Sequence, residues 1–277
     1  MSEHVDHAEL ELRQPASLAP AYIEGRAPEV LRAGPAPMPA EGATYYGLPP
    51  IKGPHWKWQV PVYFWLGGVA SGSYLVALLA DLAGRVEEQA LVRWGRYLTL
   101  LGLVVCPLLL IDDLGRPERF HHMLRIFKAR SMISVGTWVL TAFGSLAGLV
   151  GLIQLAADLG LRWCAVALRR PTRFLALVGA PLAVLVATYT GVLLSATSVA
   201  LWARARLHLA AMFFASALAT GAAAVALAAR PVHGPTRRRL AQVMASALGV
   251  ELAHAAVLER RLGAAGHVLT GSPTYRA

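Results

Sequence analysis

"PVYFWLGGVASGSYLVALLADLA", residues 61–83, decides the class of this protein. A helix rises 1.5 Å per residue, so an apolar run of about 20 residues crosses a hydrocarbon core of roughly 30 Å. Five more runs of the same kind follow at 95–111, 133–157, 174–195, 207–229 and 241–258. Four of the six are rich in Gly, Ala and Ser, as in "GGVASGSYLVALLA", "FGSLAGLVG", "ALATGAAAVALAA" and "MASALGVELAHAA". Lipid tails give helices no hydrophobic reason to associate, and small residues let their backbones approach closely instead. The pattern predicts an all-α integral membrane protein, a polytopic bundle of about six transmembrane helices with both ends on one side.

Composition agrees. Of 277 residues, 56% are hydrophobic and only 15% charged, against about 25% charged in a soluble domain. The net charge of +10 does not point to nucleic acid. Its Lys and Arg residues sit in short loops between apolar runs, where they normally collect beside a membrane. Eleven lie near each side of the predicted bundle, so the charge bias that sets orientation is absent. Two cysteines, Cys106 and Cys164, exclude an iron–sulfur cluster held by this chain alone. Cys106, inside an apolar run, reads as a packing residue.

Residues 1–44 differ in kind: Pro, Ala and Glu without an apolar run. They read as an extended or disordered arm with no signal-peptide pattern, and residues 45–277 as the membrane bundle. At the bundle's entry, Trp56, Trp58, Tyr63 and Trp65 suit the headgroup zone.

Between the second and third runs lies "IDDLGRPERF", residues 111–120. Pro117 is placed to open a short interfacial helix. Within it Phe120, Leu124 and Phe127 would share an apolar face, while Arg119, His122, Arg125 and Lys128 point elsewhere. Asp112 and Asp113 end a span, with Arg116 the local partner for Asp113 and water open to Asp112. Both acids also read simply as a helix end beside a basic loop. An ionisable group at membrane depth nevertheless carries a functional expectation.

Glu251 and His254 form an E-x-x-H pair in the sixth run. Di-metal bundles need that motif twice plus further glutamates, so no metal site is expected. A hydrogen-bonded pair or a proton-relay step is. Only His254 among His121, His122, His208 and His254 lies well inside a run, which disfavours a haem held by two histidines. Tyr189, in "VATYTGVLLSATSVALW", sits in a polar stretch of the fourth run. Its hydroxyl needs a partner, either a quinone carbonyl or a neighbouring helix.

Several stretches together resemble the NrfD family of quinone-linked membrane subunits. They are "YYGLPPIKGPHWKWQVPVYFWLGGVASGSYLVA", "DDLGRPERFHHML", "ARSMISVGTWVLTAFG", "YTGVLLSATSVALW" and "ASALATGAAA". The resemblance implies a bundle without haem or cluster that binds menaquinone or ubiquinone. It implies electron exchange with a ferredoxin-like iron–sulfur subunit, which serves a molybdopterin or other catalytic subunit, in the cytoplasmic membrane. Trp58, Tyr63 and Tyr189 fall where the family meets quinone. The asparagine and histidine that one branch uses after its W-x-W are Val60 and Tyr63 in this sequence. Asp113, Arg116, Glu251 and His254 are the candidates for proton transfer, and Arg119, His122, Arg125 and Lys128 for docking the partner. The family normally has eight or more spans, whereas this sequence presents six. The competing reading is a structural anchor for the iron–sulfur subunit, with no quinone turnover of its own.

Overall fold

The computed structural model describes residues 57–161, 167–196, 200–230, 232 and 234–262. The N-terminal arm, Trp56 and Cys164 lie outside these residues. Among the described residues six helices are long and apolar enough to cross a membrane: α1 (Gln59–Ala83), α2 (Gln89–Asp112), α3 (Met132–Asp158), α4 (Arg169–Ser195), α5 (Arg206–Ala228) and α6 (Gly234–Leu262). The protein is an all-α multi-pass membrane bundle. The second and sixth spans are longer than the apolar runs alone indicate. Each extends through a polar first turn, which hydropathy does not register.

The four helices α1 to α4 close into a ring, each packed on its neighbours, and α5 lies in the groove between α1 and α4. Helix α6 leans on α5. Helix α1 is the hub, and its packing explains the small residues of the first run. A methyl on Gly72 would collide with the Ala217 carbonyl, and one on Gly221 with the Gly72 backbone. Only glycine permits α1 and α5 to touch main chain to main chain. At this depth Thr99 Oγ1 donates to Ala70 O at 3.1 Å, joining α2 to α1. Tyr74 of α1 meets Phe143 of α3 edge-on, with ring centroids 5.2 Å apart, and its hydroxyl donates to Ala176 O of α4 at 2.9 Å.

Up-and-down threading collects alternate helix termini at two ends. One, the Asp113 end, carries Gln59, Asp112, Asp113, Met132, Ser195, His208 and His254. The other, the Arg169 end, carries Asp81, Glu88, Arg96, Asp158, Arg169 and Arg239. Every ion pair among the described residues lies at the Arg169 end: Arg85 and Arg239 with Glu88, Arg93 with Asp158, Arg96 with Asp81.

The connection at 113–131 departs from the amphipathic α-helix expected of it. Pro117 does open a helical segment, but Pro117–Leu124 is a 3-10 helix with no buried residue. With three residues per turn, Phe120, Leu124 and Phe127 cannot share the i, i+4, i+7 stripe of an α-helix. Phe127 lies beyond the segment and meets Trp138 edge-on, centroids 6.3 Å apart.

Candidate functional site

The candidate site is built at the Asp113 end, where α1 begins, α2 and α4 finish and α3 starts. Gln59, in the first turn of α1, is buried; its Nε2 donates to Asp112 Oδ2 at 2.8 Å. This clips the start of α1 to the end of α2. One turn further, Tyr63 is buried, its ring tilted against that of Phe64 with centroids 5.8 Å apart. Cys106 is buried and free, the packing role its position indicates.

Tyr189 lies in the closing turns of α4, six residues before its end at Ser195. Its hydroxyl donates to Met132 O, in the first turn of α3, at 2.8 Å. The ring passes over Gly136, where a methyl would collide with the phenol. The neighbouring-helix alternative for this hydroxyl is therefore realised. The polar stretch around it back-bonds to its own helix: Thr188 Oγ1 donates to Val184 O at 2.9 Å and Ser195 Oγ to Val192 O at 2.7 Å.

Asp113 caps the end of α2, and its Oδ1 is buried without a hydrogen-bond partner. The expected pairing with Arg116 is not formed. Gly115 and the start of the 3-10 helix carry Arg116 into solvent, and it makes no ion pair among the described residues. A second buried acceptor, Gln59 Oε1, is likewise without a donor. Two unpaired buried oxygens from α1 and α2 thus belong to one end of the bundle. Sequence reading passed over Gln59. The family positions after the second tryptophan drew attention to Val60 and Tyr63, and the glutamine beside them looked like an ordinary helix start.

The expected Glu251–His254 bond is also replaced. His254 Nδ1 lies 3.1 Å from His208 Nδ1, linking α6 to α5. Glu251 is half-buried one turn away. Rings in direct hydrogen-bond contact leave no space for an iron between them, so this pair is not arranged as two axial haem ligands. Among the described residues no group of three or more His, Cys, Asp or Glu is placed to hold a metal ion.

Trp58 is 64% exposed at the rim of α1; no hydrogen bond or ring contact joins it to Tyr63 or Tyr189 among the described residues. Arg119, His122, Arg125 and Lys128 are exposed on the connection between α2 and α3 and form no ion pair there. Together with Arg116 and Arg130 they make a cationic surface beside the buried oxygens.

Comparison with curated proteins and with solved structures returned no match. The family described as Polysulphide reductase, NrfD matches residues 51–258, about three quarters of the sequence, from before α1 into the closing turns of α6. The chain belongs to the NrfD family, and with it to the membrane components of polysulfide- and quinone-related respiratory complexes.

Proposed function

We propose that this chain is a quinone-reactive subunit of the cytoplasmic membrane. On this reading it exchanges electrons with a ferredoxin-like iron–sulfur protein that docks on the cationic connection at 113–131. Behind that protein stands a molybdopterin or other catalytic subunit. The observation that carries the reading is the pair of unpartnered buried acceptors, Gln59 Oε1 and Asp113 Oδ1. Leaving such a group unpaired costs about 1–3 kcal/mol, so both call for a donor. A quinol hydroxyl is one. Tyr63 makes no hydrogen bond among the described residues, and its hydroxyl is the complementary donor for a quinone carbonyl. The residues present therefore fit both redox forms.

A bound quinol supplies two electrons and two protons. The chain's own part is orientation and proton acceptance. Tyr63 and Gln59 fix the head group, and Asp113 accepts a proton at Oδ1. Tyr189 donates its hydroxyl proton to the Met132 carbonyl and offers the hydroxyl oxygen as an acceptor. The exposed cations nearby attract an acidic surface, which steers a partner toward this end. Glu251 and His254, with His208, stand at the same end and extend the proton route outward.

The anchor reading is favoured by one observation: the Tyr189 hydroxyl is already satisfied by Met132. The two are separated with the assembled complex and a soluble quinol. Quinone-active function requires that Asp113→Asn and Tyr63→Phe each reduce quinol-linked turnover by about tenfold or more, the equivalent of ~1.4 kcal/mol. Activity with an artificial donor to the partner subunits should be unchanged. Loss of assembly in both variants, with no selective effect on quinol turnover, would leave the anchor. Quinone analysis of lipid extracted from the pure complex is the companion measurement.

A further inference from the structure

The Arg169 end carries a second feature, independent of the quinone reading. All four ring helices open there around a cleft of about 410 Å³. Asp81 of α1, Gln89 and Arg96 of α2, Gln154 of α3, and Arg169 and Thr172 of α4 line it. Its floor is self-compensated: Arg96 Nη2 meets Asp81 Oδ2 at 3.4 Å and Nη1 donates to Gln154 Oε1 at 2.9 Å. Its rim is not. Arg169 makes no ion pair among the described residues, so the lining charges sum to one net positive.

The start of α4 accentuates this. A helix N-terminus carries roughly half a positive charge and favours acids in its first turn. This 27-residue helix has none, no side-chain cap, and Arg169, Arg170 and Arg173 instead. Arg173 is partly accommodated, since its Nη2 donates to Leu82 O at the end of α1. Arg169 and Arg170 make no ion pair or side-chain hydrogen bond among the described residues, so two uncompensated cations stand at a positive helix end. The independent observation is Thr172. It is 4% exposed, it lines the cleft, and its Oγ1 has no hydrogen-bond partner. A threonine one turn into a helix ordinarily back-bonds to the preceding turn; this one does not.

We propose that this cleft binds a phosphoryl anion, presented by an anionic phospholipid headgroup. The anion would be held by the Arg169 guanidinium and the Thr172 hydroxyl. Lipid is the source indicated by the surroundings. The cleft lies at the end of membrane-spanning helices, Val86 on its wall is 87% exposed, and Leu82 and Phe174 at the same end of the bundle are exposed as well. An acyl chain covers such residues and free phosphate does not.

The test uses the purified full-length chain in a neutral detergent, its melting followed with added phosphatidylglycerol, phosphatidylcholine or inorganic phosphate at constant ionic strength. Ligand that binds only the folded state raises Tm with the logarithm of its concentration. Phosphatidylglycerol is expected to raise Tm and phosphatidylcholine to leave it unchanged. The rise should vanish in Arg169→Gln, return in part in Arg169→Lys, and shrink in Thr172→Val. Thr172→Val separates the site from a packing role: without lipid it should melt at or above the wild-type temperature, because the unpartnered hydroxyl is removed. A response to inorganic phosphate that equals the phosphatidylglycerol response and is lost in the same variants keeps the phosphoryl site but overturns lipid as its source. A phosphatidylglycerol response undiminished in Arg169→Gln and Thr172→Val, or no response to either anion, overturns the proposal.

Discussion

Tyr189 and Met132 join two helices through one hydrogen bond, the phenol of α4 donating to the first-turn carbonyl of α3 at 2.8 Å. Tyr189→Phe keeps the ring on Gly136 and deletes only this donor. The Met132 carbonyl retains its place at the start of α3, so the loss should fall at the modest end of a neutral hydrogen bond, about 0.5–1.5 kcal/mol. Thermal or denaturant unfolding in detergent reads it. On the quinone reading, quinol-linked turnover in the complex falls as well, since the hydroxyl oxygen is also lost as an acceptor. Unchanged stability would mean that the bond contributes nothing.

Gly136→Ala approaches the same contact from the other side. The added methyl meets the phenol at sub-van-der-Waals separation, and the ring has to move. Overpacking of this kind costs about 1–3 kcal/mol. The cost should largely disappear in the Tyr189→Ala background, where nothing remains to collide with. A double-mutant cycle in detergent measures this coupling, and additive effects would show that the ring is not what Gly136 accommodates.

These two residues also mark how far the sequence carried. The apolar runs predicted six spans, and six helices of that character form among the described residues, because length and hydropathy are local properties. The small residues implied close packing, which Gly72 and Gly221 bear out. Partner choice was not legible, since it depends on how helices rotate against one another. Asp113 looked paired with Arg116 three residues on, yet the 3-10 turn carries the arginine outward. His254 looked paired with Glu251 on its own helix, yet α5 brings His208 within 3.1 Å. Gln59 and Thr172 gave no signal, because a glutamine or threonine at a helix start is ordinary until its surroundings leave an atom unsatisfied.

Gly221→Ala tests the hub of the fold. Its methyl would enter the Gly72–Ser73 backbone of α1, and main chain cannot step aside as a flexible side chain can. Helices α1 and α5 must separate, which strips contacts along the α1–α5 seam. The loss should exceed that of Gly136→Ala and reach about 3 kcal/mol or more. The comparison variant is Gly249→Ala on α6, where a methyl meets nothing within 4 Å. That change should be neutral or stabilising, because alanine is the better helix former by about 1 kcal/mol. Equal effects at the two glycines in detergent unfolding would contradict close α1–α5 contact.

The ion pair on the floor of the Arg169-end cleft gives the last expectation. Arg96 and Asp81 have side chains only 14% exposed, and their charged atoms lie 3.4 Å apart. Removing one partner strands the other charge in a poorly hydrated site, which costs about 3–5 kcal/mol when burial is complete. Residual exposure and the remaining bond from Arg96 to Gln154 bring the expected figure for Asp81→Asn to the lower end, roughly 2–3 kcal/mol. Arg96→Met should cost a similar amount by leaving Asp81 unpaired. The double variant removes both charges together, and so should be more stable than the sum of the two changes implies, by about 1–3 kcal/mol of coupling. Salt should alter this coupling little, because the pair is shielded from bulk ions. The Arg93–Asp158 pair, whose arginine is 53% exposed, supplies the contrast, with a coupling near the ~0–1 kcal/mol of exposed pairs that shrinks in high salt. Equal couplings for the two pairs, or a double Asp81/Arg96 variant no more stable than additivity predicts, would show that the cleft floor is hydrated and its charges independent.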